Sequence, residues 1–599
     1  MDQTVRDDGH KRGTKHTSTP GGNEFCVWSA LQSSRRLVPR RFSPILAARM
    51  TPRPPRLSVP LRWFAAALSG LGMNFAFPNW DHAWLAWIAL TPLLAAIWLP
   101  AADPANRTRS KWIRWLFQPG PFLLGYVTGA FFFLPSIYWM SEVTGPGWFF
   151  FTLYLAVYPA IWAWLMAGAF RPGSIESFLR SGFNLHAALV GAAAWTGLEW
   201  IRGLMISGFA WNSLGVALHT NLPLIQLAEY GGVGGISFLL VFVNVIAAAT
   251  VIRFSLEIRA GRLRPHFDFT LTLALVVGLF VFGYRTLRST RFGTSRVSLR
   301  FASVQPAIPQ NEKFDPATTA RVFAVLERFT AIAIATQPQL LLWPEAATTH
   351  GLFFDEANFK FVTGLAQRGP FHFLLGTLDF EFKDDGQRSD FNAAVLLPAG
   401  GGDAQIYHKI HLVPFGEFIP FRHSFPPFVW MVGGQVPGDF SPGREPGVFQ
   451  LPDPLLKIAP LICFEDTVGE LTRQPVLRGA QLLVNLTNDG WFNRSHESRQ
   501  HLANAVFRTV ENRRPLIRCA NTGVTCVIDE FGRIRQLLAD EAGDTFSPGV
   551  LSGVVDVATD PPTTFYTRYG EAFSIICLVF STMHAAISLF VRRSRRSPS

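Results

Sequence analysis

Three side chains set far apart in the chain could together perform acyl transfer. Glu345 lies in LLWPEAA, Lys409 in YHKIHLVPFGEF and Cys463 in IAPLICFED. A thiolate is a nucleophile, a carboxylate can take the thiol proton, and an ammonium can stabilise a developing oxyanion. These residue types point to chemistry through a thioester, provided that they share a site.

Each residue also has an ordinary explanation. A cysteine in an apolar run is most often an inert buried thiol, Glu345 could begin a helix, and Lys409 could be a solvated loop cation. The catalytic interpretation is favoured because Glu465 and Asp466 directly follow Cys463. Those carboxylates would raise the pKa of the thiol, so a nearby cation is needed to keep the thiolate accessible.

The elements that must position these residues are short apolar runs, each followed by a loop. From about residue 297 to 555, runs such as QLLLW, LKIAPLIC and AQLLVNL alternate with helical stretches such as SRQHLANAVFRTVENRR. Strands that are buried on both faces and alternate with helices predict a layered α/β sheet. Functional groups gather at strand ends in such sheets, and all three residues occupy such positions.

The chain as a whole has the composition of a membrane protein. Of 599 residues, 49% are hydrophobic, only 16% are charged and 54 are Phe. The net charge of +12 comes mainly from the N-terminus, short loops and the C-terminal VRRSRR, which is typical of a topology signal and not of a nucleic-acid partner. The five cysteines follow neither a disulfide nor a metal pattern, and no cofactor motif is present.

Eight segments are long and apolar enough to predict membrane-spanning helices. They are 59–78, 83–99, 120–139, 147–169, 184–203, 230–252, 268–284 and 572–591. Loops after the second, fourth and sixth spans are rich in Arg and Lys, whereas loops after the first and third carry none. The positive-inside rule therefore predicts that both termini are cytoplasmic and that the α/β segment lies on the outer side. If one of these segments is a buried or re-entrant helix and not a span, the α/β segment would lie on the cytoplasmic side.

Four regions follow from these patterns. We predict a disordered basic cytoplasmic extension at 1–57, a membrane domain with seven helices at 58–290, a catalytic domain at 291–560, and a last helix with a basic tail at 561–599. The Gly-rich stretch 202–219 could line a lipid entry site or simply connect two helices, and we favour the connecting loop.

The order of the motifs resembles that of a known family. WPE, YHKIHLVPFGEFIP, ICFED, NLTNDGWF and RCANTGVTCVIDEFG follow one another as in the carbon–nitrogen hydrolase (nitrilase) superfamily. With the flanking spans and TRYGE before the last one, residues 59–591 resemble its membrane-embedded branch, the bacterial apolipoprotein N-acyltransferase family. The resemblance implies a four-layer αββα sandwich on an eight-helix membrane base.

The resemblance also implies roles for residues at matching positions. Glu345 would be the general base, Lys409 the oxyanion-stabilising cation and Cys463 the nucleophile. Glu417 of PFGEF matches a further glutamate that the family requires. Phe464 and Glu465, which follow the nucleophile, would support the site or contact substrate, and no metal is expected.

Three positions depart from the family pattern. Phe464 stands where Tyr is frequent, Phe314 where Trp is frequent and Asn493 where Gly is usual. Asn485, Asn488 and Asp489 could shape the floor of the pocket or simply form a turn.

The implied function is lipoprotein maturation in the bacterial inner membrane. A phospholipid would donate an acyl chain to Cys463, and the thioester would then acylate the α-amino group of a diacylglyceryl-cysteine apolipoprotein. The expected enzyme is a phospholipid-dependent N-acyltransferase, a multi-pass membrane protein and a monomer.

Two other classes of protein remain open. A membrane-tethered amidase or nitrilase would use the same three residues with water as the second nucleophile, but it would not need the hydrophobic segment around 420–434. A transporter or scaffold with a degenerate outer domain is disfavoured by the intact Glu, Lys and Cys and by the lack of paired broken helices.

Overall fold

The structure is a computed structural model that describes residues 55–102, 119–168, 175–289 and 295–594, except 314, 349, 385, 423, 425 and 433–437. The predicted extension at 1–57 lies almost entirely outside the described residues, as do Phe314 and the basic loop at 103–118.

The second half of the chain contains two six-stranded sheets. The first has the order β12-β1-β2-β3-β4-β5. Its strands are β1 (Arg296–Gln305), β2 (Leu340–Leu342), β3 (His372–Phe382), β4 (Arg388–Leu397), β5 (Gln405–His408) and β12 (Gly549–Ala558). Strands β1, β2 and β3 are parallel, whereas β4 and β12 are antiparallel to their neighbours.

The second sheet has the order β11-β10-β9-β8-β7-β6. Its strands are β6 (Phe449–Pro452), β7 (Leu455–Ile462), β8 (Leu482–Thr487), β9 (Leu516–Ala520), β10 (Cys526–Ile528) and β11 (Ile534–Leu537). The central strands β7, β8 and β9 are parallel. Most of their residues are buried, as their continuous apolar runs predict.

The two sheets pack face to face. Leu340, Leu342 and Leu374 of the first sheet share one core with Ile458 and Val484 of the second. The outer face of the first sheet is covered by α11 (Thr319–Ala335) and α12 (Glu356–Ala366), and that of the second by α14 (Gly469–Leu477) and α15 (Glu497–Asn512). The predicted αββα layering is confirmed.

The first half of the chain is helical. Its helices are α1 (Val59–Phe75), α2 (Thr91–Trp98), α3 (Pro121–Ser136), α4 (Gly145–Leu155), α5 (Val157–Gly168), α6 (Ser181–Arg202), α7 (Leu222–Ile225), α8 (Ala228–Ala260) and α9 (Phe267–Thr286). The short α10 (Gln310–Lys313) follows β1, α13 (Pro426–Val432) follows β5, and α16 (Phe565–Tyr569) and α17 (Ala572–Ser594) end the chain.

The predicted number of eight spanning helices is not confirmed. Among the described residues, four helical stretches are long and apolar enough to cross a bilayer: Gly145–Gly168, Ala228–Ala260, Phe267–Thr286 and Ala572–Val591. The predicted spans 59–78 and 120–139 become helices of 17 and 16 residues. The span 83–99 is divided because Pro92 begins a new helix after a short 3-10 turn at Ala83–Trp87. Ser181–Arg202 is 22 residues long but less apolar, since it contains Asn184, His186 and Glu199.

Candidate active site

Glu345, Lys409 and Cys463 each follow the last residues of a strand. Glu345 comes three residues after β2, Lys409 directly after β5, and Cys463 directly after β7. Strands β2 and β5 run in the same direction because two antiparallel pairings lie between β3 and β5. Glu345 and Lys409 therefore leave the same edge of the first sheet, and Cys463 of the second sheet lines one cavity with them.

Lys409 lies between two carboxylates. Its ammonium is buried and donates to Glu417 Oε1 at 2.8 Å and to Glu345 Oε1 at 3.5 Å. Asn392 Nδ2 donates to the same two oxygen atoms, at 2.7 Å on Glu345 and 2.9 Å on Glu417. Burial disfavours the ammonium, but the charges of Glu417 and Glu345 outweigh burial and raise the pKa of Lys409.

Among the described residues, the second oxygen of Glu345 is an open hydrogen-bond acceptor. Glu345 is 6% exposed, and its Oε2 accepts no hydrogen bond from the described residues. A buried carboxylate oxygen is rarely left unsatisfied in a native structure. In this site, an open acceptor is what a general base requires.

Cys463 stands on a sharp turn from β7 into the 3-10 turn Cys463–Thr467, with φ at 52°. Positive φ is also found at Ala346, beside Glu345, and at Phe415, near Glu417. Such conformations cost about 1–3 kcal/mol each and gather at functional sites, where the surrounding structure holds them.

The thiol of Cys463 is neutral at rest. Burial and the charge of Glu345 raise its pKa to about 12, although Lys409, His501 and a hydrogen bond from Thr487 act in the other direction. This differs from the sequence argument, which assigned the raised thiol pKa to Glu465 and Asp466. A base that removes the proton during attack is therefore needed.

Glu465 joins the loop of Lys409 to the turn of Cys463. Its Oε1 accepts hydrogen bonds from Tyr407 Oη at 2.8 Å and from the backbone N–H of Ile410 at 2.7 Å. Its Oε2 accepts from the N–H of Ile462 at 2.8 Å. Glu465 is fully buried, and burial raises its pKa to about 7. The carboxylate thus fixes the loop of Lys409 against the turn of Cys463.

A buried ionic cluster lies behind Cys463. Arg518 donates to both oxygens of Asp489, at 2.8 and 2.9 Å, and to Asp466 at 3.0 Å. His501 Nε2 lies 2.7 Å from Asp466 and 3.2 Å from the carbonyl oxygen of Cys463. Burial and Arg518 oppose the charged imidazole, but Asp466 and Asp489 outweigh them and raise the pKa of His501 well above its usual value.

The same cluster contains a possible set of metal ligands. Ligand atoms of Asp489, Glu497 and His501 lie within 4.8 Å of one another. The guanidinium of Arg518 already supplies a positive charge to Asp489, so we assign no metal to this group.

Asn485, one of the predicted floor residues, donates from Nδ2 to the carbonyl of Cys463 at 3.2 Å, and Asn488 lines the cavity.

The cavity has a volume of about 920 Å³ and walls from both halves of the chain. The α/β half contributes the polar side chains described above. The helical half contributes an apolar wall of Trp139, Met140, Val143, Phe151, Phe209 and Trp211. Ligand pockets commonly measure about 300–1,000 Å³, so this one suits a large, mostly apolar ligand.

Phe464, which directly follows Cys463, packs against that apolar wall. Its ring stacks on Trp211 at 5.8 Å with planes 4° apart, and on His411 at 5.6 Å. Phe209 lies 6.1 Å away on the same side. Phe209 and Trp211 belong to the stretch 202–219, which is a connection between helices, as favoured from the sequence, and also a wall of the cavity.

Several residues of the site were not singled out from the sequence. Lys313 donates from Nζ to the backbone carbonyl of Glu345 at 2.7 Å, and Asn392 connects the two carboxylates. Gln500 bonds to several segments of the helical half. No local pattern marks these residues, although Lys313 directly precedes Phe314, one of the departures from the family pattern.

The backbone at Asn493 explains why Gly is usual there. Asn493 has φ at 51° and ψ at −149°, a conformation that Gly adopts freely and that strains other residues. Its Nδ2 also donates to Glu142 Oε2 at 2.8 Å, which ties this turn to the helical half.

Two family models match the chain. Residues 69–246 match the apolipoprotein N-acyltransferase N-terminal domain, and residues 300–559 match carbon–nitrogen hydrolase. Among solved structures, an amidase from Nesterenkonia AN1 aligns with a TM-score of 0.33 and 18% identity, over 46% of this chain and 94% of the amidase.

Curated relatives cover both halves together. The apolipoprotein N-acyltransferase of Geobacter metallireducens is 35% identical over 90% of this chain and 97% of its own length. That of Nitrosomonas europaea is 33% identical over 74% of this chain and 81% of its own length. Since the first match spans nearly the whole of both proteins, the chain belongs to the apolipoprotein N-acyltransferase family, the branch of the carbon–nitrogen hydrolases that carries an N-terminal helical domain.

Proposed function

We propose that this protein transfers an acyl chain from a membrane phospholipid, through a thioester on Cys463, to the α-amino group of a diacylglyceryl-cysteine at the N-terminus of a lipoprotein. The observation that carries the proposal is the composite cavity. Its polar side holds a base, a cation and a thiol, and its other wall is an apolar surface from the helical half. An acyl chain bonded to Cys463 would lie along that surface and be shielded from water.

In the first half-reaction, Glu345 takes the proton of Cys463 as the sulfur attacks the ester carbonyl of the phospholipid. Lys409 and the backbone N–H of Phe464 stabilise the oxyanion, and each such donor contributes about 3–4 kcal/mol in comparable sites. The bond from carbonyl carbon to glycerol oxygen then breaks. Glu345 returns the proton to that oxygen, so a lysophospholipid leaves and the thioester remains.

In the second half-reaction, the amine of the lipoprotein attacks the thioester carbonyl. Glu345 accepts a proton from the amine, the new C–N bond forms, and the C–S bond breaks. The proton then restores the Cys463 thiol. Each substrate carries acyl chains, which explains a catalytic domain joined at both ends to apolar helices.

We further propose that the protein is a monomer in the bacterial inner membrane, with the α/β domain on the outer side and both termini in the cytoplasm. The alternating charge of the loops between the spans predicted from the sequence supports this orientation. The outer side is also where an enzyme that modifies exported lipoproteins would meet its substrate.

The direct test is to trap the acyl-enzyme. Purified protein incubated with a phospholipid labelled in its acyl chains should acquire label that hydroxylamine removes, and Cys463→Ala should acquire none. Cys519→Ala is the matched control, because Cys519 is buried between the sheets, away from the cavity.

The fate of the label separates the possible functions. Transfer to a diacylated lipopeptide with a free amine supports the acyltransferase. Release to water alone, with no transfer, would identify a hydrolase, and no labelling of the folded wild-type protein would contradict a thioester mechanism.

A further inference from the structure

Lys313 is a second buried lysine beside the catalytic groups. It ends the short helix α10 and is 0% exposed. Its ammonium donates to the backbone carbonyl of Glu345 at 2.7 Å. Glu345 and Cys463 are also close enough that their charges raise the pKa of Lys313, against the effect of burial.

The segment before Lys313 is held by the opposite sheet. The N–H of Ala307 donates to the carbonyl of Asn521 at 2.8 Å, and Asn521 Nδ2 donates to the carbonyl of Ile308 at 2.8 Å. Gln310 Oε1 accepts from Asn488 Nδ2 at 2.7 Å. Lys313 is therefore anchored through the loops of the second sheet while its ammonium bonds to the Glu345 loop of the first.

The charges of the site explain why a second cation is useful. Glu345 and Glu417 share the single ammonium of Lys409, which leaves this group with one excess negative charge. His501 faces Asp466, Asp489 and Glu497, so its charge is also balanced locally. Forming the Cys463 thiolate would add another negative charge to a desolvated pocket, which is costly without a further cation.

We propose that Lys313 is a positioning residue of the acyl-transfer reaction, whose ammonium offsets the excess carboxylate charge and favours the Cys463 thiolate while its N–H fixes the backbone of Glu345. The inference rests on the proposed function for its catalytic meaning. The effect of the Lys313 charge on the Cys463 thiol can be tested without substrate.

The protonation of Lys313 gives this role a pH signature. Burial lowers its pKa to about 8, although Glu345 and Cys463 act in the other direction. A lowered pKa means that the charge is present below about pH 8 and is lost above it. The stabilisation of the Cys463 thiolate by Lys313 should therefore be complete at neutral pH and should be lost in mildly alkaline solution.

The experiment compares Lys313→Gln with the wild type in the full-length protein. A glutamine amide can still donate a hydrogen bond but carries no charge. The measurement is the rate of alkylation of Cys463 by iodoacetamide from pH 6.5 to 9.5, corrected with Cys463→Ser for the other cysteines. Lys457→Gln, an exposed lysine on β7, is the matched control.

A neighbouring charge shifts a pKa by about 1–3 units, and each unit is tenfold in thiolate population. We therefore expect alkylation of Lys313→Gln to be slower than wild type by about tenfold or more below pH 8, with the two rates converging above it. Acylation by labelled phospholipid at pH 7 should fall in parallel, and Lys313→Arg should recover both rates below pH 8.

Three results would overturn the inference. Equal alkylation rates at neutral pH would leave Lys313 as a backbone anchor only. A constant difference at all pH values would exclude titration of Lys313 as its cause. A loss in Lys313→Gln that Lys313→Arg does not recover, with both variants folded by thermal unfolding, would exclude a role of charge. Failure of wild-type protein to form an acyl-enzyme would instead contradict the proposed function and leave the alkylation result valid.

Discussion

Lys409 shares its ammonium between Glu345 and Glu417, and Asn392 donates to the same two oxygens. This arrangement keeps two carboxylates in one buried site and leaves Glu345 Oε2 open toward proton transfer. Removing one partner of a buried ion pair is strongly destabilising because the remaining charge stays buried. The same residue should therefore affect both stability and chemistry.

Replacing Lys409 by Met tests whether this residue affects both stability and acyl transfer. We expect acylation of Cys463 to fall by about 10²–10³-fold, as when an oxyanion donor is lost. The free energy of unfolding should fall by about 3–5 kcal/mol, because Glu345 and Glu417 lose their shared cation. Single-turnover labelling and thermal unfolding measure the two effects. Lys360→Met, at an exposed lysine on α12, is the control and should change neither the acylation rate nor the stability. An acylation rate of Lys409→Met within threefold of wild type would exclude Lys409 as the oxyanion-stabilising cation.

At the scale of elements, the position of Glu345 depends on close packing of its loop against β3. The N–H of Gly376 donates to the carbonyl of Pro344 at 3.2 Å, and the N–H of Ala347 donates to the carbonyl of Gly376 at 2.9 Å. A Cβ on Gly376 would lie 2.6 Å from the Cα of Glu345 and from the carbonyl oxygen of Pro344. Both neighbours are backbone atoms, so they cannot move without displacing the loop.

Gly376→Ala should therefore displace the base without touching the substrate. A misplacement of about 1 Å at a catalytic group can cost 10²-fold in rate, so we expect acylation to fall by about that factor. Gly364→Ala on α12 is the control, since a Cβ there meets no atom within 4 Å and the change should stabilise the helix by about 1 kcal/mol. A fully active Gly376→Ala protein would show that the Glu345 loop tolerates displacement.

At the scale of the whole molecule, α15 joins the two halves of the chain. The helix covers the second sheet on one side and contacts α8 of the helical half on the other. Its polar residues, including Gln500, His501, Arg508 and Glu511, are nonetheless buried. Most polar groups that are buried in proteins have at least one hydrogen-bond partner.

Gln500 illustrates how those bonds organise the cavity wall. Its Oε1 accepts from Trp211 Nε1 at 2.8 Å, Trp139 Nε1 at 3.2 Å and Asn212 Nδ2 at 3.1 Å. Its Nε2 donates to the carbonyl oxygens of Pro78 at 2.9 Å and Ser136 at 3.0 Å. One side chain of α15 thus fixes both tryptophans that line the apolar side of the cavity.

Gln500→Leu should loosen the junction of the two halves. Each buried polar group left without a partner costs about 1–3 kcal/mol, so the loss of stability should exceed that of a surface change by several kcal/mol. Acyl transfer should fall as well, because the tryptophan wall loses its anchor. Thermal unfolding and acylation rates check this against Gln450→Leu at an exposed site on β6. Unchanged stability would show that other contacts hold the junction.

The sequence by itself determined the family and the layering of the second half. Residue types that can be a base, a cation and a nucleophile are visible in WPE, HKIH and ICFED, and strands buried on both faces leave continuous apolar runs. The first half was predicted less well. Apolar length indicates a spanning helix only when the run stays helical, and Pro92 and the short helices α1 and α3 limit that inference.

Only the tertiary structure decided which distant segments meet. Phe209 and Trp211 of the stretch 202–219 line the cavity, Lys313 donates to the carbonyl of Glu345, and the polar helix α15 lies at a buried junction. These contacts join residues separated by many positions in the chain, and local periodicity carries no information about such pairs. The composition of a polar helix predicts that it is exposed to solvent. The structure can nonetheless bury such a helix, because its hydrogen-bond partners belong to other elements.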